Sequence, residues 1–167
     1  MYQQPRRMVY KQSCKEDVAE VKETKMATDE DIYSEYLTRL FVLKTKTKER
    51  HFVTKGTNFL SVHEMYDDIY EFLCEAIDEI AENLTGNEIP FTIEIGRVKT
   101  IDNVLERGED WDTLIRDELE DFLAAKECLY KSKEKSEDDC LLGLGNILDG
   151  QAQKLEMYIY FLKQFLA

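Results

Sequence analysis

Residues 59–84, FLSVHEMYDDIYEFLCEAIDEIAENL, decide the fold of this chain. The segment contains no glycine or proline, and its apolar side chains recur at intervals of three or four residues from Phe59 to Ile80. That spacing places them along one face of a helix. The pattern predicts a long amphipathic helix that ends near Gly86.

The same helix carries an unusual set of possible metal ligands: His63, Asp67, Asp78 and Glu82. At about 100° per residue they fall at roughly 0°, 40°, 60° and 100° around the axis, so all four share one face. The two ends of the set lie roughly 28 Å apart and cannot share a metal within one chain. The set is symmetric about a midpoint between residues 72 and 73. Two copies packed antiparallel about a two-fold axis would therefore join His63 to Glu82 and Asp67 to Asp78.

A second histidine completes the predicted site. The turn before this helix is centred near residue 57, which places His51 directly across a helical hairpin from His63. These are the only two histidines in the chain. Each metal site would then receive His51, His63 and Asp67 from one subunit, and Asp78 and Glu82 from its two-fold mate. Imidazole nitrogen with carboxylate oxygen suits iron, manganese or zinc.

A solvated acidic face is the alternative, because 35 acids in 167 residues make chance pairs frequent. An ordinary ferritin di-iron centre is disfavoured. Such a centre uses a glutamate three positions before each histidine, where this chain has Leu60 and Lys48.

Composition limits the remaining choices. The chain's 167 residues fit one domain, and a net charge of −13 argues against nonspecific nucleic-acid binding by the folded surface. The four cysteines form no metal-binding pair, and Cys74 is expected to be a small buried side chain. No run approaches the roughly 18 apolar residues of a membrane span, and no signal segment opens the chain. We expect a reduced, cytoplasmic protein without a membrane partner.

The order of elements predicts an all-α, ferritin-like four-helix bundle with a short helix in the long crossover between helices two and three. Residues 1–27 are expected to form a polar, partly basic tail, and residues 28–167 the bundle domain. Thr28 begins the first helix in a capping-box pattern, and Asp110 caps the third. Residues 87–109 form the crossover, with the short helix near residues 101–106. Residues 136–139 are predicted to begin the fourth helix.

Residues 51–67, HFVTKGTNFLSVHEMYD, resemble the signature of the Dps proteins, the DNA-binding proteins from starved cells. Residues 78–82, DEIAE, are similar to that family's second ligand block. The resemblance is strong over residues 30–86 and weaker over the last two helices. It implies a homo-oligomeric, dodecameric shell with ferroxidase centres between subunits, where Fe(II) is oxidised, preferentially by hydrogen peroxide, and stored as ferric mineral.

One position departs from the family's pattern: Phe52 stands where tryptophan is usual after the first histidine. Phenylalanine supplies packing without the hydrogen bond or the oxidisable indole ring. Tyr66 and Tyr70 lie nearby and could take over a redox role, although core packing is the favoured interpretation of both.

Two further segments carry functional interpretations. Acids at the predicted start of the fourth helix favour its dipole, and in Dps-like shells acids near this point line three-fold pores. These are Glu137, Asp138 and Asp139. Dps proteins that condense DNA often use a basic N-terminal extension, and four basic residues with no acid among them occupy the first fifteen positions here. These are Arg6, Arg7, Lys11 and Lys15.

Three hypotheses follow. The favoured one is a Dps-type ferroxidase that stores iron and protects against peroxide. The second is a DNA-compacting architectural protein, located with the nucleoid, whose metal site is secondary. The third is a helical bundle without a metal function. The sequence leaves open whether iron or zinc occupies the site and whether peroxide or dioxygen is the oxidant.

Overall fold

A computed structural model describes residues 22–94, 96 and 111–167 of this chain. Four long helices make up most of that described part: α1 Lys22–Val53, α2 Phe59–Gly86, α3 Trp111–Asp138 and α4 Leu142–Phe165. Helices α1 and α4 each pack against both α2 and α3, so the two diagonal pairs are α1 with α4 and α2 with α3. The crossover thus joins diagonal helices. This confirms the predicted ferritin-like four-helix bundle.

The apolar face of α2 forms one wall of the core. Six of the seven positions in its predicted stripe are buried, and the exception is Phe59, which remains 42% exposed at the first turn. Full burial of a leucine, isoleucine or valine side chain stabilises a fold by roughly 1.5–3 kcal/mol. The buried positions are Val62, Tyr66, Ile69, Leu73, Ile77 and Ile80.

The first part of the crossover is fastened to α1 by two hydroxyl groups. Ser34 Oγ accepts a hydrogen bond from the backbone N–H of Thr92, and Thr38 Oγ1 accepts one from Glu94, both at 3.0 Å. Ser34 and Thr38 are four residues apart and therefore share one helix face. Backbone groups of an extended segment need partners when they lie against a core, and these hydroxyls supply them.

The structure corrects two predicted helix starts. Helix α1 begins at Lys22, not at Thr28, because the intervening residues are compatible with a helix and none of them breaks it. The fourth helix begins at Leu142 instead of Ser136. Ser136 lies inside α3, where its hydroxyl donates to the Lys133 carbonyl at 2.7 Å instead of capping a new helix.

The end of α3 has the hydrogen-bond pattern of a Schellman motif. Cys140 takes a positive φ of 57°, its N–H donates to the Glu137 carbonyl at 3.0 Å, and the N–H of Leu141 donates to the Ser136 carbonyl at 2.8 Å. A motif that usually has glycine at its left-handed position is formed here by cysteine, which hid the helix end from sequence reading.

Close approach of α3 and α4 explains one of the glycines in α4. A Cβ atom added to Gly145 would lie 3.2 Å from Lys133 Nζ and 3.4 Å from Ser136 Oγ. Lys133 also donates to the Gly145 carbonyl at 3.1 Å. Glycine at this position lets the lysine reach the helix backbone.

Several predictions lie outside the described residues, namely the short crossover helix, the Asp110 cap and the basic residues of the N-terminal segment. The boundary after residue 27 stays a prediction, although α1 extends across it. Cys74, predicted to be buried, is partly exposed. None of the described helices is both long enough and apolar enough to span a membrane.

Candidate metal centre

The turn between α1 and α2 brings the two histidines together. Helix α1 ends at Val53, and Gly56 takes a positive φ of 102° that a residue with a side chain rarely adopts. The Thr54 hydroxyl donates to the Arg50 carbonyl at 2.7 Å and so closes the last turn of α1. The tight reversal places His51 beside His63, as the sequence predicted.

The two imidazoles hold each other in place. His51 Nδ1 lies 3.3 Å from the His63 carbonyl oxygen, and His63 Nδ1 lies 3.2 Å from the His51 carbonyl oxygen. The rings stack with their centroids 3.7 Å apart. Because a carbonyl oxygen can only accept a hydrogen bond, each Nδ1 carries the proton in this arrangement. Each Nε2 then keeps its lone pair for a metal ion.

Asp67 completes a three-residue cluster. Possible ligand atoms of His51, His63 and Asp67 all lie within 4.8 Å of one another. Asp67 Oδ1 is 3.2 Å from His51 Nδ1. A backbone-fixed imidazole pair beside a carboxylate is a donor set that fits iron, zinc or cobalt.

Lys48 is part of this cluster, although sequence reasoning did not identify it as such. Its ammonium group lies 2.9 Å from Asp67 Oδ1 and 4.9 Å from the ring centroid of Tyr70. The signal was available, since Lys48 stands one helical turn before His51 on the same face. In the structure the lysine charge occupies the neighbourhood that a metal cation would share.

Charge and burial set the protonation states of the cluster. Burial lowers the pKa of His51, and the Lys48 charge lowers it further, while Asp67 acts in the opposite direction. The hydrogen bond from Lys48 is the main cause that lowers the pKa of Asp67. A neutral imidazole and an ionised carboxylate are the forms that bind metal.

The other two predicted ligands, Asp78 and Glu82, lie farther along α2 and are exposed. The structure of one chain therefore brings together three of the five predicted ligands and leaves these two at the surface. Phe52, the residue in place of the usual tryptophan, is also exposed, at 69%, and contacts His51 edge-on with ring centroids 5.3 Å apart. The cluster thus lies at the edge of the bundle: His51 is buried, while His63, Asp67 and Phe52 are at least partly exposed.

Tyr66 and Tyr70 differ in burial. Tyr66 is completely buried in the core, and its hydroxyl has no hydrogen-bond partner among the described residues. Burial raises its pKa, and so does the nearby charge of Glu118. Tyr70 is only partly buried and lies against Lys48. Core packing therefore describes Tyr66 but not Tyr70.

The acids predicted near the pore occupy a different place from the one expected. Glu137 and Asp138 belong to the last turn of α3, and Asp139 follows it, so all three lie at a helix C-terminus, where acids oppose the dipole. Two of them have cationic partners: Glu137 lies 3.7 Å from Lys133, and Asp139 pairs with Lys135. The prediction that these three acids favour the dipole of the fourth helix is therefore wrong. A pore-lining role stays a prediction.

Sequence comparison finds relatives in two genera of bacteria, while no family model matches the chain. The DNA protection during starvation protein of Listeria monocytogenes is 26% identical over 145 residues, which cover 76% of this chain and 84% of the relative. The DNA protection during starvation protein 2 of Bacillus anthracis is 26% identical over 128 residues, covering 75% and 87%.

Solved structures show the same architecture. The X-ray structure of Dps from Listeria monocytogenes matches with a TM-score of 0.74 at 19% identity, over 83% of this chain and 92% of that one. The structure of Listeria innocua Dps soaked with cobalt matches with the same TM-score and identity, over 83% and 91%. Curated relatives and solved structures together confirm the predicted resemblance of this chain to the Dps family.

Proposed function

We propose that this protein is a ferroxidase that oxidises Fe(II) with hydrogen peroxide at sites shared between two subunits and stores the ferric product inside a dodecameric shell. One observation carries the proposal. His51, His63 and Asp67 form a partly exposed cluster at one end of α2, while the same helix exposes Asp78 and Glu82 at the other end. A two-fold axis at the middle of α2 would bring the two groups together.

The chemistry follows from the donors. Neutral imidazoles and carboxylates hold two Fe(II) ions, and each ion gives one electron to a single peroxide molecule. The O–O bond breaks, and two protons complete two molecules of water. Carboxylate oxygens favour the ferric product over the ferrous substrate because they are hard, negatively charged ligands. Consuming ferrous iron and peroxide together prevents hydroxyl radical formation.

The test is anaerobic titration of the full-length protein with Fe(II), followed by peroxide or by dioxygen in parallel samples. Ferric absorbance reports the rate, and the native mass of the assembly reports the shell. We expect peroxide to be faster, and the double variant His63→Ala with Asp78→Ala to oxidise iron no faster than free solution. A variant as fast as the parent would show that the site lies elsewhere, and a monomer would exclude a shared site.

Metal identity is part of the same proposal. Zinc fits the ligand set as well as iron does, so the metal present in purified protein can differ from the substrate. Elemental analysis of the purified protein, followed by Fe(II) titration in competition with Zn²⁺, separates the two. If Fe(II) oxidation decreases in proportion to the fraction of sites that hold Zn²⁺, both metals bind at the same site.

A second candidate function is DNA compaction, which is supported by the curated relatives' name, DNA protection during starvation protein. Arg6, Arg7, Lys11 and Lys15 would supply the phosphate contacts, and the protein would lie in the cytoplasm with the nucleoid. Gel retardation across a salt series, with and without residues 1–15, tests it. If the protein does not retard DNA at low salt, DNA compaction is excluded, and the proposal of iron oxidation still stands.

A further inference from the structure

A group of charged side chains lies inside the bundle, and one of its members, Arg50, immediately precedes His51. Glu118 of α3 is completely buried, and Arg50 of α1 is only 5% exposed. Buried charges are unfavourable unless they are paired and hydrogen-bonded. One guanidinium nitrogen of Arg50 donates to Glu118, and another donates to Asp121 Oδ2 at 2.7 Å. The charges therefore form a paired network between α1 and α3.

Both oxygens of Glu118 are used, and both donors come from α1. Oε2 accepts from Arg50, and Oε1 accepts from the hydroxyl of Thr47. Thr47 and Arg50 are three residues apart, so they face α3 from one side of the helix. Burial raises the pKa of Glu118, while the Arg50 charge opposes that rise. Together with Asp121, which pairs with Lys46 and Arg50, this carboxylate holds the last turns of α1 against α3.

Arg50 connects this network to the metal cluster because it immediately precedes His51. Its carbonyl accepts from the backbone N–H of Thr54 at 2.9 Å and from the Thr54 hydroxyl at 2.7 Å. Arg50 thus anchors α1 to α3 through its side chain and closes the helix end through its backbone. Successive residues are separated by about 100° around a helix, so turning Arg50 out of the core would also turn His51 away from His63.

The charge of the same carboxylate also acts on α2, the helix that carries His63 and Asp67. Tyr66 immediately precedes Asp67, is completely buried, and has no hydrogen-bond partner for its hydroxyl among the described residues. The charge of Glu118 acts on that hydroxyl. Glu118 of α3 therefore pairs directly with the residue that precedes His51 on α1, and its charge acts on the residue that precedes Asp67 on α2.

We propose that Glu118 is a positioning residue for the metal centre: its carboxylate keeps Arg50 inside the bundle and so fixes the direction in which α1 presents His51 to His63 and Asp67. The inference rests on the proposed metal function. Helix α3 supplies none of the five predicted ligands. In this proposal it nevertheless controls the geometry of the half-site that α1 and α2 form.

Glu118→Gln in the full-length protein is the first test, because it keeps the shape and removes the charge. Co(II) is the probe, since its visible absorption reports both affinity and ligand geometry. We expect Co(II) affinity to fall by roughly 10–100-fold, the usual effect of losing a group that orients a ligand, and the absorption bands to change shape.

Tyr36→Phe is the matched control. Tyr36 is completely buried on α1, and its hydroxyl donates to Gln151 Oε1 at 3.1 Å, so the variant also loses one buried hydrogen bond. It lies about 22 Å along α1 from His51. We expect a lower Tm with unchanged Co(II) affinity and spectrum.

A double variant separates positioning from general stability. Arg50→Met with Glu118→Leu removes both charges, which avoids an unpaired charge in the core and allows Tm to recover. We expect Co(II) affinity to remain low. Affinity that recovers with Tm, or a Glu118→Gln protein that binds as tightly as the parent, would overturn the inference alone. The parent protein should show a Co(II) spectrum, and His63→Ala should abolish it. If the parent shows no such spectrum, or if His63→Ala leaves it unchanged, the proposed function and the inference both fail.

Discussion

The two ends of α2 carry predicted metal ligands in different surroundings. At the N-terminal end, His63 and Asp67 meet His51 from α1, and their ligand atoms lie within 4.8 Å. At the C-terminal end, Asp78 and Glu82 are exposed. The first group, here called the closed half-site, is organised by its own chain. The second, the open half-site, depends on a neighbour under the proposed function. Under the proposed function, we expect the closed half-site to set the affinity for metal and assembly to complete the site.

The largest expected effect comes from mixing variants of the two half-sites. His63→Ala and Asp78→Ala should each be inactive as pure assemblies. After joint unfolding and reassembly in equal amounts, about a quarter of all sites combine an intact closed half-site with an intact open half-site, because each is drawn at random from two subunit types. Stopped-flow Fe(II) oxidation should therefore recover to about a quarter of the parent rate.

A mixture that stays inactive, although mass spectrometry shows mixed assemblies, would contradict the sharing of sites between subunits. Reassembled parent protein is the control for losses during refolding.

The pH dependence of metal binding should be governed by the closed half-site. Its folded environment lowers the pKa of His51 below the ordinary value of 6.5, so this imidazole stays neutral above that pH. We expect protonation of His51 to leave Co(II) affinity unchanged from pH 8 to about 6.5 and to reduce it at lower pH, by about tenfold per unit below the lowered pKa of this imidazole.

The same shift affects the free energy of unfolding. Folded His51 binds fewer protons than unfolded His51, so stability without metal should decrease as pH falls through about 6.5. Chemical denaturation at several pH values checks this, and a His51→Gln protein, which cannot titrate there, should lose part of the decrease. An equal decrease in both proteins would assign it to other groups.

Lys48→Met should raise the metal affinity of the closed half-site, because it removes the cation that lies 2.9 Å from Asp67. Exposed ion pairs contribute roughly 0.2–1 kcal/mol, so Co(II) should bind up to about five times more tightly. The pKa of His51 should rise, since Lys48 lowers it in the parent. Titration by NMR measures the second effect. Lys44→Met, which removes a lysine one turn earlier on α1, is the control.

The smallest effect is expected for Tyr66→Phe, beside the closed half-site. The change removes a buried hydroxyl that has no partner among the described residues, so stability should stay the same or increase by about 1 kcal/mol. Iron oxidation should be unchanged if Tyr66 only packs. A slower reaction with normal Co(II) binding would instead support the redox role considered for this tyrosine.

The success of sequence reading differed between the two helical hairpins. In the α1–α2 hairpin, the signals were local: apolar periodicity along α2, a glycine in the turn, and two histidines placed symmetrically about it. In the α3–α4 hairpin, Ser136 and the following acids resembled a helix start. In the structure these residues end α3 instead. The Ser136 hydroxyl donates to the Lys133 carbonyl, and Cys140 takes a positive φ.

The sequence by itself determined the helical bundle, the hairpin of α1 and α2, and the residues of the closed half-site, because each follows from spacing within a short stretch of chain. Only the tertiary structure decided that Lys48 reaches Asp67 and that Arg50 turns inward to Glu118, 68 residues away. Glu118 is the one acid among the buried residues of α3, and nothing in the neighbouring sequence indicates its partner. Pairing of buried charges depends on which helices become neighbours, and that is settled only when the bundle packs.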